Sequence, residues 1–286
     1  MSTQPTIDAA AAGTYTLGGD LTINRMGYGA MRITGAGIWG PPKDRAEAIK
    51  VLRATQDLGI NFIDTADSYG PYVSEELIAE ALYPYPSDLL IGTKGGLERT
   101  GPNQWPVNGR PEHLEAALKG SLQRLRLERI DLYQLHRFDG NVPADEFLGK
   151  LQELQKAGFI RHLGLSEVTI EQIRQAQQFF EVVSVQNKFS LTDRKWAAEV
   201  AWTRDQQIAF IPWYPLDAGA VDNPRLQAVA RKHNASVYQV ALAWLLAYSD
   251  NILAIPGTSS VAHLKENTAA AQLKLDAEDM ERLEKG

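Results

Sequence analysis

NFIDTADSYG, residues 61–70, follows the chain breaker Gly59 and opens on Phe62 and Ile63, one aromatic and one β-branched. It reads as a short buried strand that runs out into polar residues. The strand delivers Asp64, and the turn behind it delivers Tyr69. Two later apolar segments end in the same way, LLIGTK on Lys94 and IDLYQLH on His136. An acid, a phenol, an amine and an imidazole at the same end of successive apolar segments indicate one site assembled from consecutive parallel strands.

Outward from that stretch the pattern recurs. Residues 1–13 have the composition of a frayed tail, and TYTLGGDLTIN (residues 14–24) alternates apolar and polar around Gly18 and Gly19, a hairpin signal. A hairpin there would cap the bottom of a barrel. RMGYGAM (residues 25–31) is a first strand, and a helix follows over 44–58, with Asp44 as its cap, Glu47 three residues on and Gly59 to end it. Helices are expected over 74–82, 111–127, 144–157, 193–205, 224–233, 236–248 and 261–271. Between them run strands from LLIGTKG, IDLYQLH, IRHLGLS, VVSVQNKF, IAFIPWYPL and ILAIPGT. Leu114, Leu118, Leu122 and Leu125 share one face of their helix, as Phe147, Leu151 and Leu154 do in the next. Nearly continuous apolar strands alternating with amphipathic helices are the mark of parallel strands buried on both faces. Eight of them close a (β/α)8 TIM barrel of a single domain over residues 14–286; a doubly wound open sheet is the structural competitor.

Composition bounds the chemistry. A chain of 286 residues fits one such barrel, and 44% hydrophobic with 22% charged residues is ordinary for a globular domain. The net charge of −6 gives no general attraction to nucleic acid or to anionic membranes. With no cysteine there is no disulfide, thiol nucleophile or Cys-ligated metal, so the chemistry must come from oxygen, nitrogen or a cofactor. No secretion signal and no apolar run of about 18 residues is present, which agrees with a cytoplasmic protein. The oligomeric state is not legible, and a monomer is consistent with the sequence.

A lysine ending a strand inside a barrel is costly unless paired, and Asp64 is its natural counter-ion. The bland reading of that pair alone is a structural salt bridge. Tyr69 and His136 change the reading: an ammonium beside a phenol favours the phenolate, so Lys94 would bring Tyr69 closer to neutrality as a proton donor, and His136 would orient a carbonyl oxygen or relay a proton. A proton donor needs a second reagent, and neither a Ser-His-Asp order nor HExxH supplies one; a hydride cofactor does. Gly35, Gly37 and Gly40 spell a formal G-x-G-x-x-G, but no strand precedes them and Pro41–Pro42 follow, so they are not a dinucleotide fingerprint. The better phosphate candidate is Gly257-Thr258-Ser259-Ser260, after the eighth strand and before a helix, although a plain helix cap reads the same.

These residues together carry a resemblance that spans almost the whole chain. DTADSYG, GTKGG, LHR, GLS, VQN and IPGTSS resemble, in order, the signatures of the aldo-keto reductases, and PPKDR, ALYPY and IPGTSSVAHLKEN are similar to a bacterial, pyridoxal-reductase-like subgroup. The resemblance implies a barrel using NADPH in preference to NADH without a Rossmann fold, with no metal, acting on a small aldehyde or ketone through Asp64, Tyr69, Lys94 and His136. It also implies cofactor contacts at Gly29, Ala30 and Met31, at Asp64, at Ser166, Glu167 and Gln186 near the carboxamide, and at Trp213 on the nicotinamide. Leu216 would belong to a loop over the pyrophosphate, with Gly257, Thr258, Ser259, His263, Glu266 and Asn267 about the adenosine phosphate. Glu167 stands where the family often has Asn, and His263 and Gly257 stand where Arg and Lys occur, which weakens the expectation of NADPH. Trp39, Trp105 and loop 96–110 are expected to wall the substrate pocket, or else to pack the loop shut. Two other readings stay open: a cofactor-binding regulatory or scaffold protein on the same barrel, and a Schiff-base lyase or isomerase using Lys94.

Overall fold

The computed structural model describes residues 6–216 and 222–285. An antiparallel hairpin, β1 (Thr14–Leu17) and β2 (Leu21–Asn24), comes first, paired Leu17 to Leu21 across Gly18, Gly19 and Asp20. Seven parallel strands follow in sequential order: β3 (Tyr28–Gly29), β4 (Phe62–Asp64), β5 (Leu90–Gly95), β6 (Ile130–Leu135), β7 (Ile160–Ser166), β8 (Val182–Gln186) and β9 (Ala209–Phe210). The eighth stave is residues 252–256, which bridges Phe210 to Ile252 on one side and Met26 to Ala254 on the other. Gly27 N–H donates to Ala254 O and Ala254 N–H to Arg25 O, both at 2.8 Å, so the ring closes as a (β/α)8 barrel and not as an open sheet. The last staves are short because Pro212 follows one and Pro256 ends the other, and neither can donate to a ladder.

The helices form the outer ring: α1 (Arg45–Asp57), α2 (Val73–Leu82), α3 (Pro111–Leu125), α4 (Ala144–Lys156), α5 (Ile170–Ala176), α6 (Ala197–Asp205), α7 (Pro224–His233), α8 (Val237–Tyr248), α9 (Val261–Ala269) and α10 (Ala277–Glu284). Asp44 caps α1 by accepting from Glu47 N–H, as expected, and Gly59 ends it at φ +67°. α5 and α10 were not anticipated, although each opens on a capping box, Thr169 with Gln172 and Asp276 with Asp279. α6 starts later than expected because Ser190 and Asp193 first close a turn through Asp193 N–H to Ser190 Oγ.

Strand parity divides the core in two. Phe62, Leu90, Leu132, Val183, Ala209 and Leu253 point inward and form the barrel interior together with Leu17 and Ile23 of the hairpin, so the hairpin plugs the bottom. Ile63, Ile91 and Tyr133 point outward into the larger core beneath the helices. The expectation of a frayed tail through residue 13 gives way at Ala9: residues Ala9–Ala12 form a 3-10 turn capped by Asp8, with Ala9 fully buried and its N–H on Leu58 O. Alanine suits this, since it closes over the α1 terminus with little side-chain entropy to lose. Residues 1–5 lie outside the described residues. Among the described residues no helix is long and apolar enough to cross a membrane.

Candidate active site

Continuing each strand by two residues from its inward apolar position reaches the polar groups: Phe62 to Asp64, Leu90 through Gly92 to Lys94, Leu132 through Gln134 to His136. One apolar layer therefore carries one polar layer above it, at the C-terminal mouth. Lys94 Nζ, wholly buried, donates to Asp64 Oδ1 at 2.6 Å, to the Thr65 carbonyl at 2.8 Å and to Tyr69 Oη at 3.4 Å. The second Asp64 oxygen accepts from Gln186 Nε2 at 2.9 Å and Gln134 Nε2 at 3.3 Å. The four residues singled out from the sequence are thus brought together, and Gln134, which sequence reading missed, completes the cage.

Burial pulls the Lys94 ammonium down, but the Asp64 charge, the Tyr69 phenol and the hydrogen bonds to both more than offset it and hold it above its ordinary range. Tyr69 departs from expectation. Burial pushes its phenol up, the Lys94 ammonium pulls it down and Asp64 pushes it up again; burial wins, so the phenol lies above 10 and holds its proton. His136 is driven well below 6.5, chiefly by burial and then by Lys94, Arg137 and Arg99, so its ring is neutral near pH 7. Its Nδ1 lies 3.4 Å from Ser68 Oγ, and its ring meets Tyr69 edge-on at 6.0 Å between centroids.

A cavity of about 520 Å³ opens on these groups, with Tyr69, His136, Trp105, Arg137, Ser166, Gln186 and Trp213 among its walls. Ser166 Oγ accepts from Arg137 Nη1 at 3.0 Å. Glu167, at φ +55°, turns its carboxylate back: Oε1 accepts from Trp213 Nε1 at 2.6 Å and from Lys188 N–H at 2.7 Å. Glu167 therefore fixes the Trp213 ring, a task different from the carboxamide contact anticipated for it. Gly29, Met31, Leu216 and Gly257 line the same cavity, whereas Ala30 is buried in the outer core. The loop beyond Leu216 lies outside the described residues. At the far end Thr258 is buried, with Oγ accepting from Ser260 N–H at 3.1 Å and its carbonyl accepting from Tyr28 Oη at 2.7 Å. Ser259 and His263 are exposed there, Glu266 is half-buried and Asn267 is buried. Arg32, not foreseen, also lines the cavity, and its Cγ lies 3.4 Å from where a Cβ on Gly257 would sit. Trp105 lines the cavity and Trp39 does not; the Arg99 guanidinium packs on both rings, 3.6 Å from the Trp105 centroid and 5.6 Å from that of Trp39. No α-helix opens on the formal glycine motif: Ala36–Ile38 form a 3-10 turn, and Gly35 N–H donates to Gly40 O at 2.9 Å.

Residues 25–285 match the profile of the Aldo/keto reductase family. An uncharacterized oxidoreductase of Schizosaccharomyces pombe is 50% identical over 97% of this chain and 91% of its own length. Pyridoxine 4-dehydrogenase of Escherichia coli is 43% identical over 96% of this chain and 98% of its own length. Among solved structures, the glycerol dehydrogenase of Gluconobacter oxydans superposes with a TM-score of 0.86 at 26% identity, covering 96% of this chain and 94% of that one.

Proposed function

The chain belongs to the Aldo/keto reductase family, a family of oxidoreductases, and from that premise we propose that it interconverts a small aldehyde or ketone and its alcohol with Tyr69 as the proton donor. The observation that carries this reading is the buried Lys94 ammonium, held by Asp64 at 2.6 Å and aimed at the Tyr69 hydroxyl at 3.4 Å. The cavity residues would hold a reduced nicotinamide dinucleotide, which would supply the hydride for such a reduction.

The donor set fits that cofactor. Ser166 Oγ and the side-chain Oε1 of Gln186, whose Nε2 is held by Asp64, suit a carboxamide, Trp213 is a flat wall held in place by Glu167, and hydroxyls at Thr258 and Ser259 precede the α9 N-terminus, where an anion is favoured. Arg32 puts a cation at that end, beside Gly257, which supports NADPH over NADH.

As negative charge develops on the carbonyl oxygen, the Tyr69 phenol gives up its proton and Lys94 stabilises the phenolate left behind. The phenol stays protonated in the resting site and becomes a donor when the oxygen beside it turns basic. In the neutral tautomer in which Nδ1 accepts from Ser68 Oγ, His136 carries its proton on Nε2 and can hydrogen-bond the same oxygen. Alcohol oxidation runs the proton back to Tyr69.

Lys94 as a Schiff-base nucleophile fits poorly, since its nitrogen is a buried ammonium with its hydrogens engaged and its pKa raised. For the substrate we take the pyridoxine–pyridoxal pair first, on the 43% identity to pyridoxine 4-dehydrogenase.

The test follows reduced-nicotinamide absorbance with pyridoxal and a panel of other aldehydes, beside fluorescence titration of NADPH and NADH. Tyr69→Phe should bind cofactor as the parent does and lose about 10²–10⁴ in turnover. Undiminished turnover would remove Tyr69 from the chemistry, and binding without turnover of any carbonyl would favour a regulatory protein.

A further inference from the structure

Arg99 stands in the loop after β5 and does what no other described side chain at the barrel mouth does: it spends a whole guanidinium on backbone carbonyls of three separate loops. Nε donates to Gln104 O at 2.9 Å, Nη1 to Ile38 O and Ser68 O at 2.7 Å each, and Nη2 to Gly37 O at 3.1 Å and Gly101 O at 3.3 Å. These carbonyls belong to the loop after β3, to the DTADSYG turn that carries Tyr69, and to the finger of residues 96–110. The planar fork of arginine, with five donors, matches such a set; lysine has three and no fixed plane.

Backbone conformation points the same way. Ile38 is β-branched yet sits at φ +54°, next to Gly37 at +68°, and Asn103 in the finger is at +56°. A left-handed β-branched residue persists only where its surroundings hold it. Ile38 is held by its carbonyl on Arg99, and Gly37 O also accepts from Asn103 N–H at 2.9 Å. The guanidinium at the same time stacks 3.6 Å from the Trp105 ring centroid. Trp105 in turn lines the cavity and meets Tyr69 edge-on at 6.4 Å.

We propose that Arg99 is a positioning residue that locks Trp105 as a rigid aromatic wall beside Tyr69 and thereby selects carbonyl compounds bearing a flat aromatic or heteroaromatic ring. The proposal rests on the reductase reading for its substrate half. A pre-ordered wall lowers the ordering cost of stacking a ring on it, and a short aliphatic aldehyde gains little from that wall.

Arg99→Lys keeps the charge and loses the fork; Arg99→Met keeps the stem only. For both, KM for pyridine-4-carbaldehyde should rise about tenfold, with kcat and KM for propanal and the NADPH dissociation constant within about twofold of the parent. Trp105→Ala should give the same loss for the aromatic aldehyde, and Arg99→Lys added to it should give no further loss. Equal losses for both aldehydes, or a fully additive double variant, would overturn the selectivity role.

Amide hydrogen exchange without substrate separates the two readings. Faster exchange in Arg99→Lys confined to residues 36–40 and 98–106 supports the staple even if the parent reduces no carbonyl, an outcome that would count against the reductase reading alone. Unchanged exchange in those loops overturns the staple.

Discussion

The Lys94–Asp64 pair allows chemistry to be separated from stability. Both side chains are buried, Lys94 fully and Asp64 nearly so. Removing one partner of such a pair costs about 3–5 kcal/mol, because the remaining charge is left in a medium that cannot solvate it. Lys94→Met leaves the Asp64 carboxylate with the Gln186 and Gln134 amides, so the lower end, about 3 kcal/mol, applies. Asp64→Asn leaves the ammonium with neutral acceptors only, the new amide oxygen, the Thr65 carbonyl and the Tyr69 hydroxyl, and costs about the same. If the two acted independently the double variant would lose about 6 kcal/mol; a neutral pair has no orphaned charge and should lose no more than about 4, a coupling of at least about 2 kcal/mol. Equilibrium urea unfolding followed by tryptophan fluorescence measures each corner of the cycle. Turnover should be nearly absent in all three variants, the most stable one included. A double variant whose loss equals the sum of the singles would refute the claim that the pair is held together by mutual charge compensation.

Asp67 sits behind this site, 3% exposed, with Oδ1 lacking a partner among the described residues. Burial first, then Glu75, raises its carboxyl well above 3.8, so the folded state keeps a proton that the unfolded chain has released. Stability must therefore fall as pH rises from 3.8 toward the raised value, by up to about 1.4 kcal/mol per pH unit, and Asp67→Asn should flatten that slope. Parallel urea midpoints for parent and variant from pH 4 upward would contradict it. Gly95 faces outward beneath α3, where an added Cβ would come within 2.0 Å of Tyr133 Oη and 3.2 Å of Ala117 Cβ. Gly95→Ala should cost about 1–3 kcal/mol and Tyr133→Phe should restore most of it; a double variant as weak as Gly95→Ala alone would count against this contact as the cause.

What the sequence made legible is local and periodic. Parity along a strand tells which residues turn inward, so Asp64, Lys94 and His136 converge once their strands are parallel and in sequential order, and the hairpin signal at Gly18 and Gly19 delivered Leu17 and Ile23 to the barrel floor. What stayed hidden depends on partners distant in sequence. Glu167 was read by its position after Ser166, yet its carboxylate is set by Trp213, 46 residues on, and by a left-handed backbone that turns it away from its strand. The Tyr69 phenol was read from its neighbour's charge, but depth of burial, which a linear pattern does not contain, outweighs that charge. Arg99 offered no signal at all, because its partners are carbonyl oxygens and every residue has one. The division has a physical cause. Chemistry placed at strand ends is announced by side-chain type and period, whereas the parts that hold it still act through backbone acceptors and loop conformation, to which residue identity is nearly blind. In a barrel of this kind the polar groups at the strand ends are therefore readable before the structure, and the carbonyl contacts that hold the loops above them are readable only from it.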